Sequence, residues 1–304
     1  MTVAVSRSRG RFAPSPSGPL HFGSLVAAVG SYLQAKSGDA NNPNKQWLVR
    51  IEDIDTPRTV PGAASDILRT LEQFGLYWDE TEVYQSQRLD FYQHHFQQLQ
   101  ANQQIYPCQC SRARIAELGG IYDGFCRQHP RIDPTQPLAW RMKSQQVQNY
   151  FDDAVFGRVH IDPATAQEDY IIKRRDGLFA YQLVVVLDDV DQQITEVVRG
   201  ADLLTMTPRQ QALFQRFAPQ APLYAHLPLA VSAPGQKLSK QNHATDIRAW
   251  PLSVSLTAAL RLLGHPPPAD LANASCELIL QWARQHWQLS AVPEVMEVQV
   301  DAFR

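Results

Sequence analysis

Two stretches of the 304-residue chain carry residue types suited to handling a polyphosphate. Residues 11–24 read RFAPSPSGPLHFGS. A strand-like run gives way to a Pro/Gly turn, and a helix then opens with His21 and Gly23 in its first turn. Helix N-termini present unpaired N–H groups and the positive end of the helix dipole, so anions settle there. A histidine at that point can donate to phosphate, and a glycine lets a flat ring approach the backbone closely. Residues 237–240 read KLSK, which sets Lys237 and Lys240 three apart on a polar loop. A lysine ammonium is a mobile point charge suited to a pyrophosphate leaving group. Alone, a His-x-Gly at a helix start is more often a cap, and a K-x-S-K a solvated loop. The pair in this order, flanking an α/β chain, points to nucleotide activation.

A third constellation is Cys108, Cys110 and Cys126. In a chain with no apolar leader, such spacing reads as a metal site rather than a disulfide framework. Tetrahedral zinc needs a fourth ligand. Spacing alone nominates His129, three residues past Cys126. Cys276 sits in a helical pattern and reads as a core residue. Lys173, Arg174 and Arg175, with Arg112 and Arg114, could touch RNA phosphates, although a solvated face explains such short clusters equally well.

The elements that must position these groups follow from periodicity. Residues 20–36 show apolar positions at helical spacing, and 46–51 (QWLVRI) reads as a strand. Pro61 opens a second helix containing Ile67, Leu68, Leu71 and Phe74, and 88–103 forms a third. This alternation predicts a parallel sheet with crossover helices. Residues 107–137 lose periodicity and read as an insert. Buried strands are expected at 180–187 and 194–198, a helix at 207–217, and a strand at 226–231 leading into a polar loop at 232–244. Helices at 256–263 and 276–287 complete the chain. The expected units are a first α/β half at 1–106, an insert with an acceptor-type subdomain at 107–180, a second half at 181–240, and a short helical region at 241–304.

Composition narrows the class. The hydrophobic share is 44%, the charged share 19% and the formal net charge −2. These values suit a soluble, well-cored protein and disfavour a broad DNA-coating surface. No apolar run reaches membrane-span length, and no secretory leader is visible, so a reducing cytoplasm is expected. P-loop, G-x-G-x-x-G, H-E-x-x-H and G-x-S-x-G patterns are missing from the sequence.

The pair HFGS and KLSK resembles the HIGH and KMSK signatures of class I aminoacyl-tRNA synthetases. Ser24 stands where HIGH has its second histidine, and Leu238 where KMSK has methionine. RFAPSPSG, LVRIEDID, the C-x-C insert and VVRGADLL further resemble the glutamate-specific group. GIYDG narrows this to its shortened members, which transfer glutamate to queuosine. Only about 60 residues follow Lys240, against about 100 for a separate anticodon-binding domain.

The resemblance implies a Rossmann-like class I catalytic domain with an inserted zinc-bearing subdomain. It also implies roles. His21, Gly23, Ser24 and Lys240 bind ATP, with His21, Gly23, Lys237 and Lys240 serving catalysis and Mg²⁺ on the phosphates. Arg11, Phe12, Ala13, Pro14, Ser15, Glu52, Tyr181 and Arg199 line an L-glutamate pocket. A substrate with two carboxylates and one ammonium needs two cationic groups and one anionic group, as Arg11, Arg199 and Glu52 supply. Tyr122 becomes the fourth ligand of a structural Zn²⁺ held by Cys108, Cys110 and Cys126. The expected acceptor is queuosine at the wobble position of tRNA(Asp), without DNA or membrane partners, and the expected state is a monomer. A conventional glutamyl- or glutaminyl-tRNA synthetase core and a non-catalytic zinc-bearing RNA-binding module are the competing readings.

Overall fold

The computed structural model describes residues 8–38, 42–130, 132–144, 147–238, 245–271, 273–301 and 303. Strands Ser8–Phe12, Lys45–Ile51 and Val83–Tyr84 form a parallel sheet in that order. The crossovers carry helices Phe22–Lys36 and Ala63–Gln73. The second helix begins after Gly62, whose left-handed backbone (φ 79°) turns the chain into it, rather than at Pro61. Trp47 is fully buried in the central strand, meets Tyr32 edge-on, and donates from Nε1 to Ser31 Oγ at 3.1 Å. A buried indole thereby keeps its one donor satisfied.

Strands Gly157–His160, Tyr150–Asp153, Leu223–Leu227 and Glu196–Gly200 form a second sheet in that order. Hydrogen bonds between Arg9 and Thr195 seam the sheets. Thr195 N–H donates to the Arg9 carbonyl at 3.0 Å, and Arg9 N–H donates to Thr195 Oγ1 at 2.8 Å. Strand order therefore runs outward in opposite directions from Ser8–Phe12 and Glu196–Gly200. This is a switch point of the kind at which α/β sheets open a crevice beyond their strand ends. Helix Phe22–Lys36 covers it, with Leu25, Val29 and Leu33 fully buried. Close contact needs Gly30, because a Cβ there would lie 2.4 Å from Leu227 Cδ1.

Strands Ile105–Cys108, Ala139–Met142 and Ile171–Lys173 form a third, antiparallel sheet. A fourth joins Gln236–Lys237, Leu229–Ala233 and Glu297–Gln299, the last pairing in parallel with its neighbour. Among the described residues, no helix is long and apolar enough to cross a membrane.

Two expectations are corrected. Residues 180–187 are not a strand, because Tyr181–Asp191 is a helix. Leu183 through Leu187 are all buried, and so are Asp188 and Asp189. A helix apolar on every side shows no 3.6 period and reads as a buried strand. The strand expected at 226–231 is two strands, Leu223–Leu227 and Leu229–Ala233, in different sheets. Pro228 stands at the break. It has no N–H to continue a ladder.

Candidate active site

A cleft of about 470 Å³ opens at the strand ends. Arg11, Phe12, Ala13, Pro14, Ser15, His21, Gly23, Ser24, Glu52, Tyr181 and Arg199 all line it. Arg11 and Phe12 end one strand, Glu52 follows the end of the next, Arg199 lies near the end of a third, and Tyr181 opens a helix. Residues spread over 189 positions thus meet because the topology brings their strand ends together.

The cationic and anionic groups are interlocked. Arg11 donates from Nε to Asp189 Oδ1 at 3.1 Å and from Nη2 to Asp189 Oδ2 at 3.4 Å. Arg50, fully buried, donates from Nη1 to Asp189 Oδ1 at 2.8 Å and pairs with Glu52 Oε1 at 3.5 Å. Asp188 accepts from Gln85 Nε2 at 2.8 Å, Arg88 Nε at 2.9 Å and Tyr92 Oη at 2.9 Å. Burial pushes the Asp189 carboxyl up, but Arg11 and Arg50 outweigh it and leave it below its ordinary value. For Glu52 the balance is reversed. Burial outweighs Arg50 and Arg11 and lifts its pKa to about 7.

Arg50, Asp188 and Asp189 were missed from sequence. The signal was present in the acidic end of the apolar run, LDD, and in the arginine two positions before Glu52.

His21 caps helix Phe22–Lys36. Its Nδ1 accepts from Ser24 N–H at 3.2 Å, which assigns the ring proton to Nε2, 3.0 Å from Ser24 Oγ. Gly23 has a packing role as well. A Cβ there would lie 2.9 Å from the Leu238 carbonyl oxygen and 3.3 Å from the His21 ring. The helix start and the KLSK stretch are therefore in contact, with Leu238 N–H bonded to the Ala230 carbonyl at 2.9 Å. The Lys237 backbone pairs with Val231. Lys240 lies outside the described residues.

Arg199 is 5% exposed. It donates to His226 Nε2 at 3.1 Å, Gln210 Oε1 at 2.6 Å, Thr207 Oγ1 at 2.9 Å and the Leu203 carbonyl at 3.2 Å. Tyr224 presents its ring face to the guanidinium at 5.2 Å.

The thiol sulfurs of Cys108, Cys110 and Cys126 lie within 4.8 Å of one another. Tyr122 is 4% exposed, packs with them, and accepts Cys126 N–H on its hydroxyl at 2.7 Å. His129 is exposed, stacked on Phe125, with Nδ1 3.2 Å from the Phe125 carbonyl. Arg141 Nε lies 3.3 Å from Cys108 Sγ, its guanidinium 3.7 Å over the Tyr122 ring, and Arg114 Nη1 lies 3.7 Å from Cys110 Sγ. Three clustered sulfurs, one phenol and two flanking cations suit a divalent ion of zinc type, because the cations offset the excess charge of anionic ligands.

A smaller cavity of about 330 Å³ adjoins this cluster, lined partly by Arg112, Arg141, Arg174 and Arg175. Lys173 faces inward, over Phe96 at 4.9 Å and Phe179 at 4.7 Å. Arg114 is paired with Asp123 at 2.6 Å.

Residues 7–277 match the family model for the catalytic domain of class I tRNA synthetases (E and Q). A glutamyl-Q tRNA(Asp) synthetase of Vibrio cholerae serotype O1 is 50% identical, covering 95% of this chain and 93% of that protein. The Shewanella amazonensis protein of that name is 51% identical, covering 96% and 97%. Among solved structures, a glutamate-tRNA synthetase from Elizabethkingia anophelis superposes with a TM-score of 0.76 at 23% identity, covering 98% of this chain and 68% of that one. The glutamate tRNA ligase of Elizabethkingia meningosepticum, in complex with its amino acid, gives 0.75 at 22% identity, covering 97% and 67%.

Proposed function

Because the chain belongs to the class I tRNA synthetases of the glutamate and glutamine group, and is a ligase enzyme, we propose that it activates L-glutamate with ATP, without RNA, and passes the glutamyl group to queuosine at the wobble position of tRNA(Asp). The observation that carries this reading is the convergence of Arg11, Arg199 and Glu52 on the cleft that His21 and Gly23 also line. Its charge pattern complements two carboxylates and an ammonium. The names of relatives at 50–52% identity support the acceptor.

In the first step an oxygen of the glutamate α-carboxylate attacks the α-phosphorus of ATP. The bond to the β-phosphate breaks, and pyrophosphate leaves. The protein contributes position and charge. The phosphate contacts of this reading are the helix start at His21 and the lysines of KLSK, with Mg²⁺ accompanying the ATP. Arg11 and Arg199 hold the substrate carboxyls, and ionised Glu52 accepts its ammonium. In the second step a queuosine hydroxyl attacks the activated carbonyl, and AMP leaves. Bound zinc supplies a structural clamp for residues 105–130, held by Cys108, Cys110, Cys126 and Tyr122 and taking no part in the chemistry. A monomer working in the cytoplasm meets these requirements.

Glutamate-dependent ATP–pyrophosphate exchange with no RNA present tests the first step. Exchange that appears only after tRNA(Glu) is added would favour a conventional synthetase core, and none under any condition would sink both. Glutamate transfer to tRNA(Asp) with and without queuosine tests the second step.

A further inference from the structure

We infer that Asp153 and His226 are positioning residues that hold the Arg199 guanidinium in the glutamate pocket, through the buried chain Asp153–His226–Arg199. The inference deepens the glutamate reading above and rests on it.

The geometry fixes the direction of each bond. An arginine has only N–H donors. His226 Nε2, 3.1 Å from Arg199 Nε, must therefore present a lone pair to it. The ring proton is then on Nδ1, which donates to Asp153 Oδ2 at 2.6 Å. The other oxygen, Oδ1, accepts N–H groups from Val155 and Phe156 at 3.0 Å each and from His226 itself at 3.3 Å. The carboxylate is thus fixed as an acceptor on both sides. The His226 and Asp153 side chains are fully buried.

Electrostatics agree with this assignment. Burial drives the His226 imidazole below its ordinary value, against the opposing hydrogen bond to Asp153. Burial pushes Asp153 up, but His226 and the backbone N–H groups outweigh it and leave it low. A protonated ring would set two cations face to face at 3.1 Å, so the chain holds together only with His226 neutral and in the Nδ1–H form.

The relay also changes which part of the protein builds the amino-acid site. Asp153 ends strand Tyr150–Asp153, in the segment expected to be an insert, and His226 lies in strand Leu223–Leu227. Strands Tyr150–Asp153 and Leu223–Leu227 share one register pair, Tyr224 with Asp153. The segment expected to be an insert therefore reaches the proposed glutamate pocket through the Asp153–His226 hydrogen bond.

Three variants of the full chain test this, each read by glutamate KM, ATP KM and kcat in pyrophosphate exchange and by calorimetric glutamate affinity. His226→Leu should raise glutamate KM about tenfold to a hundredfold, the range for a lost charged hydrogen bond, with ATP KM nearly unchanged. His226→Gln can accept from Arg199 and donate to Asp153, and should stay within about threefold of the parent. Asp153→Asn keeps size but can place an N–H against Nδ1, which moves the ring proton to Nε2. It should raise glutamate KM comparably, with the tautomer change visible in ¹⁵N-histidine spectra.

Unchanged glutamate KM in folded His226→Leu or Asp153→Asn overturns the assignment, as does a Gln variant as impaired as the Leu variant. Should the Leu variant fail to fold, the other two decide. The parent's own ¹⁵N shifts provide a check independent of activity, and a proton on Nε2 there refutes the relay outright. A parent that neither binds glutamate nor exchanges pyrophosphate would instead remove the reading on which the inference rests.

Discussion

Glu52 titrates near neutrality because burial opposes its charge more strongly than Arg50 and Arg11 favour it. Two expectations follow from that sign. In the proposed reading an ionised Glu52 accepts the glutamate ammonium, so below its folded pKa of about 7 binding must first release a proton. Glutamate affinity should fall about tenfold per pH unit below that point and level off above it. Calorimetry from pH 5.5 to 8, in buffers of different ionisation enthalpy, reads both the affinity and the proton. Affinity flat across that range would show that Glu52 is already ionised. The stability consequence runs the other way. A carboxyl raised from 4.5 to about 7 gives its full contribution below the lower value and loses it as pH rises through the upper one. Ionising Glu52 in the empty fold therefore costs about 3 kcal/mol. Glu52→Gln should abolish glutamate binding yet melt higher than the parent at pH 8. Gly23→Ala tests a contact instead of a charge. Its Cβ would strike the Leu238 carbonyl at 2.9 Å, so ATP KM should rise about tenfold or more, with calorimetric glutamate affinity nearly unchanged. At this scale the residues lining the cleft were readable, because their types and order form continuous words. The partners that orient them, Asp189 for Arg11 and His226 for Arg199, were not. They lie 178 and 27 positions away and become neighbours only through the fold.

Elements show where periodicity succeeds and where it fails. Helix Phe22–Lys36 was legible because its apolar spacing follows an evident turn. Helix Tyr181–Asp191 was not, because it is enclosed on all sides and three consecutive valines favour an extended reading. Its length and its acidic end were the available corrections, since Asp188 and Asp189 anchor Arg50, Arg88 and Arg11. In the cysteine segment, spacing offered His129, whereas the fold buries Tyr122 against the sulfurs and leaves His129 outside. Metal analysis of purified variants separates the two. Tyr122→Phe should lower zinc retention under chelator challenge, and His129→Ala should retain it as the parent does. Zinc lost only from the His129 variant would reverse the ligand assignment.

Taken as a whole, the molecule backs its cleft with a segment distant in sequence, residues 297–303. Strand Glu297–Gln299 pairs in parallel with Leu229–Val231, and Leu229 and Ala230 line the cleft. Phe303 stacks on Phe22 with ring centroids 4.2 Å apart and meets Trp250 at 4.9 Å. Phe22 directly follows His21. The region that periodicity described only as two helices thus braces the His21 end of the cleft. Phe303→Ala should lower stability by about 3 kcal/mol and raise ATP KM more than glutamate KM. Thermal melts and exchange kinetics check the two effects separately, and a stability loss with both KM values unchanged would make Phe303 a packing residue only. The same strand bears on the order of events at the ribosome. A parallel strand cannot pair before it has been made, and residue 303 is needed to cover Phe22. A nascent chain whose helix Phe22–Lys36 has already met Leu238 therefore still has an unbraced cleft, and the proposed adenylate formation should arise only after strand Glu297–Gln299 and Phe303 leave the exit tunnel.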